Sequence, residues 1–554
     1  SDEQQVFVFL DNLQFADDGS LEVIEALIGD MQSRNTIIVC SYQDNVSRTE
    51  QVQNLFANPN NIARLSVKDV ELRDLSLDAT NRLLSEMLEK DDSTTMRLSE
   101  VVLVKTHGNP YFVKNYVNLL RSEGYLRYVK NEWTWDITAI AAGTNISDNV
   151  AEIVESKIQM LHPDVQSMLE IACCLGFQFP RDILDRFAVE NLVNGDMQYE
   201  AEVKNHLTEC LKVAIKECLV EPTRSGNKYK FSHIRVQQAA AQLLPKDEKD
   251  LQALHQRIGN VIWSLSNDGK REWYVLAAAE QHNKAAGLVK DPEEKTHLQN
   301  VNVKAAKIAR TRYAYGPAAE FLEAAIALMD GEREWDEKYQ VMLTIHSMAA
   351  EMYAAAGRFE DCKRHADVIF HNAKTSFDKV PAFFVMTESL GTQCRIGEMI
   401  TMGTRGLALL GQKIPRKPKM VHVMYELVRT KRLLKGKGDD ELLAMSPLQS
   451  KEKLAAMRLL SSMLSFAFVA DEPEIIALVS MRMIKISVND GISRMTPTSF
   501  ACWGTLNGNA SEAFRYGNLA LRMARQMDEP SALPLTIAFA HGFAMHKSLP
   551  LRDS

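Results

Sequence analysis

Hydrophobic positions near the start of the chain follow the order strand, helix, strand. Val6 to Leu10 is an unbroken apolar run, which predicts a buried strand covered on both faces of a parallel sheet. Asp17 and Ser20 are candidate caps for an apolar stripe at helical spacing that ends at Ile28. Thr36 to Tyr42 is a second, β-branched run. The short connections predict a right-handed, parallel βαβ unit.

The pattern then becomes helical, with two short alternating interruptions. Residues 66 to 126 read as helices only, and NEWTWD at 131 to 136 predicts a short strand or hairpin. Residues 145 to 244 read as further helices, interrupted by KYKFS at 228 to 232. Helices followed by a small β-wing predict a winged-helix domain. Its candidate recognition segment, 200 to 219, balances lysines with glutamates, so we expect a packing or regulatory role and no nucleic-acid binding.

From residue 251 onward the pattern predicts helical hairpins. Small-residue breaks between amphipathic helices occur at or near Gly316, Gly357, Gly397, Ala470 and Gly508. The first three breaks are 41 and 40 residues apart, and a period of about 40 residues is typical of stacked helical hairpins. A single hairpin cannot bury its apolar face alone, so neighbours stack into a solenoid whose extended surface usually binds protein.

Composition narrows the classes of protein that fit. A length of 554 residues predicts roughly three or four domains. The net charge of −8 and a pI near 6.0 give no global attraction to nucleic acid or to an anionic membrane. No apolar stretch reaches the roughly 20 residues that span a bilayer. The eight cysteines lack zinc-type spacing, which favours buried free thiols and a cytoplasmic location.

Positive charge is concentrated in two neighbouring segments of the predicted solenoid. These are IPRKPKM at 414 to 420 and RTKRLLKGKG at 429 to 438. One interpretation is a solvated loop and helix face. The other is a site for an acidic partner or a phosphate-bearing ligand, and the sequence leaves both open.

The start of the chain carries the first candidate for chemistry. Asp11 directly follows the first predicted strand, where P-loop ATPases place the acid beside the magnesium of the nucleotide. Capping of the next helix is the alternative role for such an acid. No G-x-x-x-x-G-K-[ST] phosphate loop occurs in the 554 residues. Since the chain begins at Ser1 and ends at Ser554 within a helical pattern, we expect it to be an internal segment of a larger protein.

Four blocks of sequence carry a more specific resemblance. In chain order they are LDNLQFADDGSLEVIEAL, IIVCSYQDNV, THGNPYFVKNYVNLL and FSHIRVQQAAAQLL. Together they resemble the predicted-ATPase branch of the STAND class of signalling ATPases. That family joins a AAA-type core, similar to origin-recognition ATPases, to a winged helix and tetratricopeptide-like repeats.

The resemblance covers nearly the whole chain and implies a mostly α fold in four parts. Residues 1–66 would form the carboxyl-terminal half of an α/β P-loop ATPase core, with Walker B and sensor 1. Residues 67–144 would form a helical lid with the GNP motif, and residues 145–250 the winged-helix domain. Residues 251–554 would form an α-solenoid of TPR-like helical hairpins.

The resemblance assigns roles in a nucleotide site to three residues near the strands. Asp11 matches the Walker B acid, which holds magnesium through water. Asn12 falls where the family commonly has a second acid that polarises the attacking water, and an amide cannot accept that proton, so hydrolysis should suffer. Gln43 falls where members often carry an arginine that contacts the γ-phosphate. A neutral side chain forgoes that charge-assisted contact.

Two further elements match the family at greater distance along the chain. Gly108, Asn109 and Pro110 match its G-x-P element, whose proline packs beside the adenine. The same residues fit a helix stop followed by a helix that starts with proline, and both interpretations can hold together. His233 matches the histidine that senses the β-phosphate of bound ADP, although Ile234 replaces the usual Asp. A packing role for His233 is the alternative.

The resemblance implies a regulatory switch that binds ATP or ADP with Mg²⁺ and forms a nucleotide-dependent homo-oligomer. Its repeats would bind a protein partner or a signalling ligand. The parent would be an ATP hydrolase of the P-loop type, whereas this segment alone should bind nucleotide weakly or not at all without the phosphate loop. The alternative is a helical-repeat interaction scaffold with a degenerate, non-hydrolysing core. The family often carries a kinase or a nucleotide cyclase elsewhere in the polypeptide, and nothing in these residues resembles one.

Overall fold

A computed structural model describes most of the chain, and the chain divides into two compact units, Ser1–Val150 and Ala151–Ser554. The described residues are 5–16, 18–29, 36–43, 52–54, 56, 68–143, 150–192, 199–224, 226–267, 271–329, 331–506, 509–527 and 533–545. None of the helices within these ranges is both long and apolar enough to cross a membrane.

The first unit opens with a two-stranded parallel sheet. β1 (Val6–Leu10) pairs with β2 (Thr36–Cys40), residue for residue along both strands. A 3-10 turn (Leu13–Phe15) and α1 (Asp18–Gly29) connect them. The parallel strand–helix–strand order is therefore as predicted. Of the two predicted caps, Ser20 lies inside the first turn of α1 and Asp17 lies outside the described residues.

Among the described residues, side chains pack on only one face of this sheet. Leu10 and Ile38 pack against the apolar stripe of α1. On the opposite face Phe7 and Phe9 are 67% and 59% exposed, and Ile37 beside them is 55% exposed. The prediction of a strand buried on both faces was wrong for this reason: side chains alternate across a strand, and one helix covers only one side.

The rest of the first unit is a helical array followed by a hairpin. Its elements are α2 (Leu77–Leu88), α3 (Asp92–Thr106), α4 (Pro110–Ser122), β3 (Leu126–Val129), β4 (Glu132–Trp135) and α5 (Ile137–Gly143). Buried Asn81 on α2 ties this helix to α3, because Thr95 Oγ1 and Ser99 Oγ both donate to its Oδ1, at 2.7 and 2.8 Å. β3 and β4 pair antiparallel, so the hairpin predicted at residues 131 to 136 is confirmed.

The second unit begins with helices around a small sheet. The helices are α6 (Val150–Gln159), α7 (Pro163–Leu175), α8 (Arg181–Leu192), α9 (Glu200–Lys216) and α10 (Ile234–Ala241), and the strands are β5 (Gln178–Pro180), β6 (Val220–Pro222) and β7 (Lys228–Phe231). The strands form an antiparallel sheet in the order β5-β7-β6. The strand predicted at 228 to 232 is β7. Assignment of this part to the winged-helix class stays a prediction.

The remainder of the second unit is helical to its last described residue. The helices are α11 (Glu248–Leu265), α12 (Glu272–Lys284), α13 (Pro292–Thr311), α14 (Tyr315–Ala327), α15 (Glu332–Glu337), α16 (Tyr339–Ala355), α17 (Phe359–Asn372), α18 (Val380–Thr392), α19 (Ile396–Leu409), α20 (Met420–Leu434), α21 (Asp439–Leu443), α22 (Lys451–Val469), α23 (Pro473–Asp490), α24 (Thr496–Leu506), α25 (Ala510–Gln526) and α26 (Leu533–Phe539), followed by a π turn (Ala540–Ala544). Sequential helices pack in pairs, α13 on α14, α16 on α17 and α18 on α19, so the predicted helical hairpins are present.

The turns of these hairpins differ from the prediction at two glycines. Gly316 and Gly397 lie in the first turns of α14 and α19, not in the connections. The left-handed residues of those connections are Tyr313 and Cys394, with φ of 60° and 57°. Gly357, with φ of 73°, does occupy its connection. Spacing of glycines located the hairpins but not the turn residue, because a non-glycine residue adopts this conformation at a cost of about 1–2 kcal/mol.

The two later predicted breaks have different outcomes. Ala470 caps the carboxyl end of α22, as predicted, and Asp471 beside it has a positive φ of 54°. Gly508 lies outside the described residues. All eight cysteines of the chain are free thiols, as composition predicted, but only four of them are buried, three are half-buried and Cys394 is exposed.

Candidate functional site

The carboxyl ends of β1 and β2 place two oxygen-bearing side chains together. Asp11 follows β1 and Ser41 follows β2, and the amide of Ser41 donates to the carbonyl of Leu10 at 2.9 Å. This bond extends the parallel pairing past the strands and sets both side chains on one edge of the sheet. Ser41 Oγ donates to Asp11 Oδ1. In open parallel sheets, this edge is where ligands bind.

Asn12 is held in a fixed, left-handed conformation beside Asp11. Its φ and ψ are 61° and 51°, which asparagine tolerates better than most residues. Its backbone amide donates to Ser41 Oγ at 2.9 Å, and its side-chain oxygen accepts from Gln14 Nε2 at 3.1 Å. The amide oxygen of Asn12 is therefore engaged within the loop, and an amide cannot serve as a general base.

Two residues at this edge of the sheet were not predicted from the sequence. Ser41 orients Asp11, and its signal was a hydroxyl residue directly after the second strand. Gln14 is buried, with 2% of its surface exposed, and its Oε1 has no hydrogen-bond partner in the described part of the chain. A polar residue between the apolar Leu13 and Phe15 was the available signal. Gln43 lies exposed two residues beyond Ser41, as the chain leaves the sheet.

The GNP element forms the junction between α3 and α4. Gly108 has φ of +80°, and a Cβ placed on it would lie 2.3 Å from the carbonyl oxygen of Leu75. Asn109 caps α4 by accepting from the amides of its first turn, and Pro110 is its first residue. The helix-stop interpretation of these residues is thus confirmed. The ring of Pro110 is exposed, and its contact with adenine stays a prediction.

His233 lies in the second unit, at the amino-terminal cap of α10. Its Nδ1 accepts from the backbone amide of Arg235 at 3.1 Å. Partial burial, and then the charge of Arg235, lower the pKa of His233 below its usual range. A neutral imidazole that accepts at Nδ1 carries its proton on Nε2 and can donate from that atom. Ile234 is 37% exposed at the next position.

The structure thus brings some of the predicted residues together. Asp11 and Asn12 share Ser41 as a hydrogen-bond partner, and Gly108 and Pro110 share one helix junction. Asp11 and Ser41 fit one side of a Mg²⁺ site, since a hard dication takes oxygen ligands. Within the described ranges, no group of three or more His, Cys, Asp or Glu residues could hold a metal ion by itself. Waters and nucleotide phosphates would have to supply the other ligands.

Two curated proteins are similar to the chain, and both are named histidine kinases. No family model matches the chain. The chain is 22% identical to the hybrid signal transduction histidine kinase G of Dictyostelium discoideum, over 86% of this chain and 16% of the kinase. It is 22% identical to the peroxide stress-activated histidine kinase mak3 of Schizosaccharomyces pombe, over 74% of this chain and 17% of that protein. The chain therefore spans about a sixth of the length of these curated relatives.

A solved structure is also similar to the chain at a low level. It is a STAND (signal transduction ATPase with numerous domains) protein with a tetratricopeptide repeat sensor from Pyrococcus horikoshii. The match covers 99% of this chain and 79% of that one, with 13% identity and a TM-score of 0.35.

Proposed function

We propose that the chain is the regulatory segment of a larger signalling protein, built as a STAND-type nucleotide switch. In this proposal residues 1–66 and 67–144 form part of an ATPase core with its lid, and residues 145–250 a winged-helix lock. Residues 251–554 are TPR-like repeats that bind a protein partner. The observation that carries the proposal is the pairing of Asp11 with Ser41 at the carboxyl edge of two parallel strands. The two curated relatives, both named histidine kinases, favour a kinase as the output.

The chemistry follows from the residues at that edge. Magnesium, when bound with ATP or ADP, supplies positive charge that offsets the phosphates. Asp11 would hold the ion through water, and Ser41 orients the Asp11 carboxylate by its hydrogen bond. Asn12 takes no proton from water, because its amide oxygen is not basic and already accepts from Gln14. The parent would therefore bind nucleotide and hydrolyse it slowly, which suits a switch better than a motor.

Nucleotide binding by the intact parent protein tests this proposal. Isothermal calorimetry with ATP should give binding that Mg²⁺ strengthens, and Asp11→Ala should remove most of the Mg²⁺-dependent gain, by roughly tenfold or more in Kd. Glu22→Ala is the matched control, since Glu22 is an exposed acid on α1 of the same unit. A parent protein that binds neither ATP nor ADP would end the switch proposal.

The residue types at positions 12, 43 and 234, which are Asn12, Gln43 and Ile234, favour a second function. Each replaces the residue that the STAND class uses for turnover or switching, so the core could be a scaffold that no longer needs ATP. Under this proposal the repeats capture a partner regardless of ATP, ADP or a His233→Ala substitution. A pull-down from the parent protein whose yield changes with nucleotide would contradict it.

A further inference from the structure

Helix α20 presents a stripe of large apolar side chains to solvent. Val421, Met424, Tyr425 and Val428 are 67%, 52%, 63% and 48% exposed. Their spacing of three, four and seven residues from Val421 places them on one side of the helix. The other side of α20 packs against α23. The helix therefore has two apolar faces, and the outer one is in contact with solvent.

The same side of the helix becomes basic in its last turns. Lys431 and Arg432 continue the line of the stripe, ten and eleven residues after Val421, and Lys435 follows as the residue that caps the helix. All three are exposed, and within the described ranges no carboxylate lies within ion-pair distance of them. The acid of the helix, Glu426, is already engaged, because Arg429 and Arg482 both lie 3.5 Å from its Oε1.

A second group of cations borders the stripe at its amino-terminal end. Lys413, Arg416, Lys417 and Lys419 are exposed in the segment that leads into α20. No ion pair joins any of the four to a carboxylate of the described chain. A less exposed lysine of α23 is also affected by positive charge. Burial first, and then the charges of Arg429 and Arg482, lower the pKa of Lys485. The apolar stripe thus lies between two basic ends.

One hollow lies beside this stripe and a second adjoins the segment that leads into α20, so the surface is concave there. A hollow of about 510 Å³ is bordered by Val421 and Tyr425 and has Leu478 and Arg482 of α23 in its wall. A second hollow of about 700 Å³ lies across the segment at Lys413, which lines both. Lys379, Arg405 and Arg416 line the second hollow, together with apolar Phe383 and Leu409. Each hollow combines apolar walls with positive charge, and the one acid in the wall of the first, Glu426, is paired with Arg482.

We propose that this surface, formed by the α20 stripe, its basic ends and the two hollows, binds an acidic amphipathic helix of a partner protein. Large apolar side chains of such a helix would lie along the stripe and enter the hollows, and flanking carboxylates would meet the unpaired cations. Concave hollows accept side chains, whereas the surface of a bilayer cannot enter them. The net charge of −8 also opposes approach of the whole chain to an anionic membrane.

This inference rests on the proposed partner-binding role of the repeats and is independent of nucleotide. The probe is a fluorescently labelled 18-residue peptide of leucines and glutamates in helical amphipathic order, added to the full chain without nucleotide. Fluorescence anisotropy should report micromolar binding. Val421→Ser with Tyr425→Ser should weaken it at least tenfold, and so should Lys431→Glu with Arg432→Glu.

Matched controls use residues of the same kinds elsewhere in the second unit. Val469→Ser removes an apolar side chain that is 81% exposed on α22, and Lys307→Glu reverses an exposed lysine on α13. Both should leave the affinity unchanged, and circular dichroism melting should confirm that every variant is folded.

Three results would overturn the inference. The first is equal binding of a peptide with the same composition in scrambled order, or of polyglutamate, because simple anion attraction would then suffice. The second is binding of phosphatidylserine vesicles by the chain in place of the peptide, which would make the surface a membrane site. The third is failure of the peptide to bind. Any of these leaves nucleotide binding by the parent untouched, so the two proposals fail separately.

Discussion

At the scale of single residues, the junction between α3 and α4 requires glycine at position 108, whether or not nucleotide binds. The positive φ of Gly108 and the 2.3 Å distance from a built Cβ to Leu75 O leave no room for a side chain. Gly124 offers a matched position, because it has a similar φ of +76° and its nearest neighbour would be Arg127 Nε at 3.9 Å. The two glycines therefore separate backbone strain from steric collision.

We predict that Gly108→Ala destabilises the first unit more than Gly124→Ala does. Both variants incur about 1–2 kcal/mol for a left-handed alanine, and only Gly108→Ala also forces Leu75 away. Hydrogen exchange of residues 77–122, followed by mass spectrometry, should be faster in Gly108→Ala. Equal protection in the two variants would show that the junction can accommodate a methyl group at position 108, contrary to the prediction.

A buried pair of histidines in the repeats provides a second prediction at this scale. His346 Nδ1 and His365 Nδ1 are 3.0 Å apart, so at least one ring must be neutral. Trp335 stacks on His346. His365 Nε2 lies 3.0 Å from Glu323 Oε1, which also accepts from Arg364 at 2.6 Å. Burial first, and the charge of His365 second, lower the pKa of His346 to about 4.

We predict that the repeats lose stability as the pH falls from about 6.5 towards 4. The stability contributed by a buried neutral histidine is fully present at pH values above the pKa of that histidine in the unfolded chain. At lower pH the unfolded chain binds a proton that the folded chain does not bind, so unfolding is favoured. His346→Gln should reduce the slope of unfolding free energy against pH by up to about 1.4 kcal/mol per pH unit in this window. Urea denaturation followed by tryptophan fluorescence measures it. His371→Gln, at an exposed site on α17, should keep the wild-type slope.

At the scale of elements, glycines set how closely some helices approach. A Cβ on Gly391 of α18 would lie 2.4 Å from ring carbons of Phe466 on α22. Gly397, near the start of α19, would meet nothing within 4 Å. Both residues are helical, so substitution by alanine improves intrinsic helix propensity at each. Only their surroundings differ.

We therefore predict opposite signs for two equal substitutions. Gly391→Ala should destabilise the second unit by about 1–3 kcal/mol, because the ring of Phe466 must move within a packed interface. Gly397→Ala should stabilise it by about 0.5–1 kcal/mol. The denaturant midpoints of the two variants would fall on either side of the wild type. Midpoints shifted in the same direction would contradict the packing of α18 on α22.

Elements near the amino terminus show what the sequence could and could not predict. Apolar runs located β1 and β2 correctly, because short runs rich in β-branched and aromatic residues favour strands. They did not predict that Phe7 and Phe9 are exposed, because the pattern of a single strand does not show which other elements pack on each face of the sheet. Ser41 was missed for a related reason, because its partner Asp11 is 30 residues away in sequence.

At the scale of the whole molecule, net charge and local charge give different information. The chain carries −8 overall, yet the ends of the α20 stripe concentrate cations without acidic partners in the described ranges. The positive charge is visible in the sequence at residues 414 to 420 and 429 to 438, but its role is not. The exposed stripe between the basic ends was not predictable, because which side of α20 faces outward is decided by its packing on α23. The packing of α20 on α23 therefore shows which apolar side chains face solvent, and those side chains support the inference of a partner.

The left-handed turns of the helical hairpins have a consequence for how the array evolves. Tyr313, Cys394 and Asp471 hold this conformation without being glycine. A glycine would relieve about 1–2 kcal/mol at each turn, and the greater freedom of the unfolded chain would return about 0.4–1 kcal/mol of that gain. The net gain from glycine is about 0–1.6 kcal/mol at each turn, so glycine and non-glycine residues can replace one another at these joints with only a modest change in stability. A search for such repeats that requires glycine at the turn residue itself would therefore miss hairpins like these.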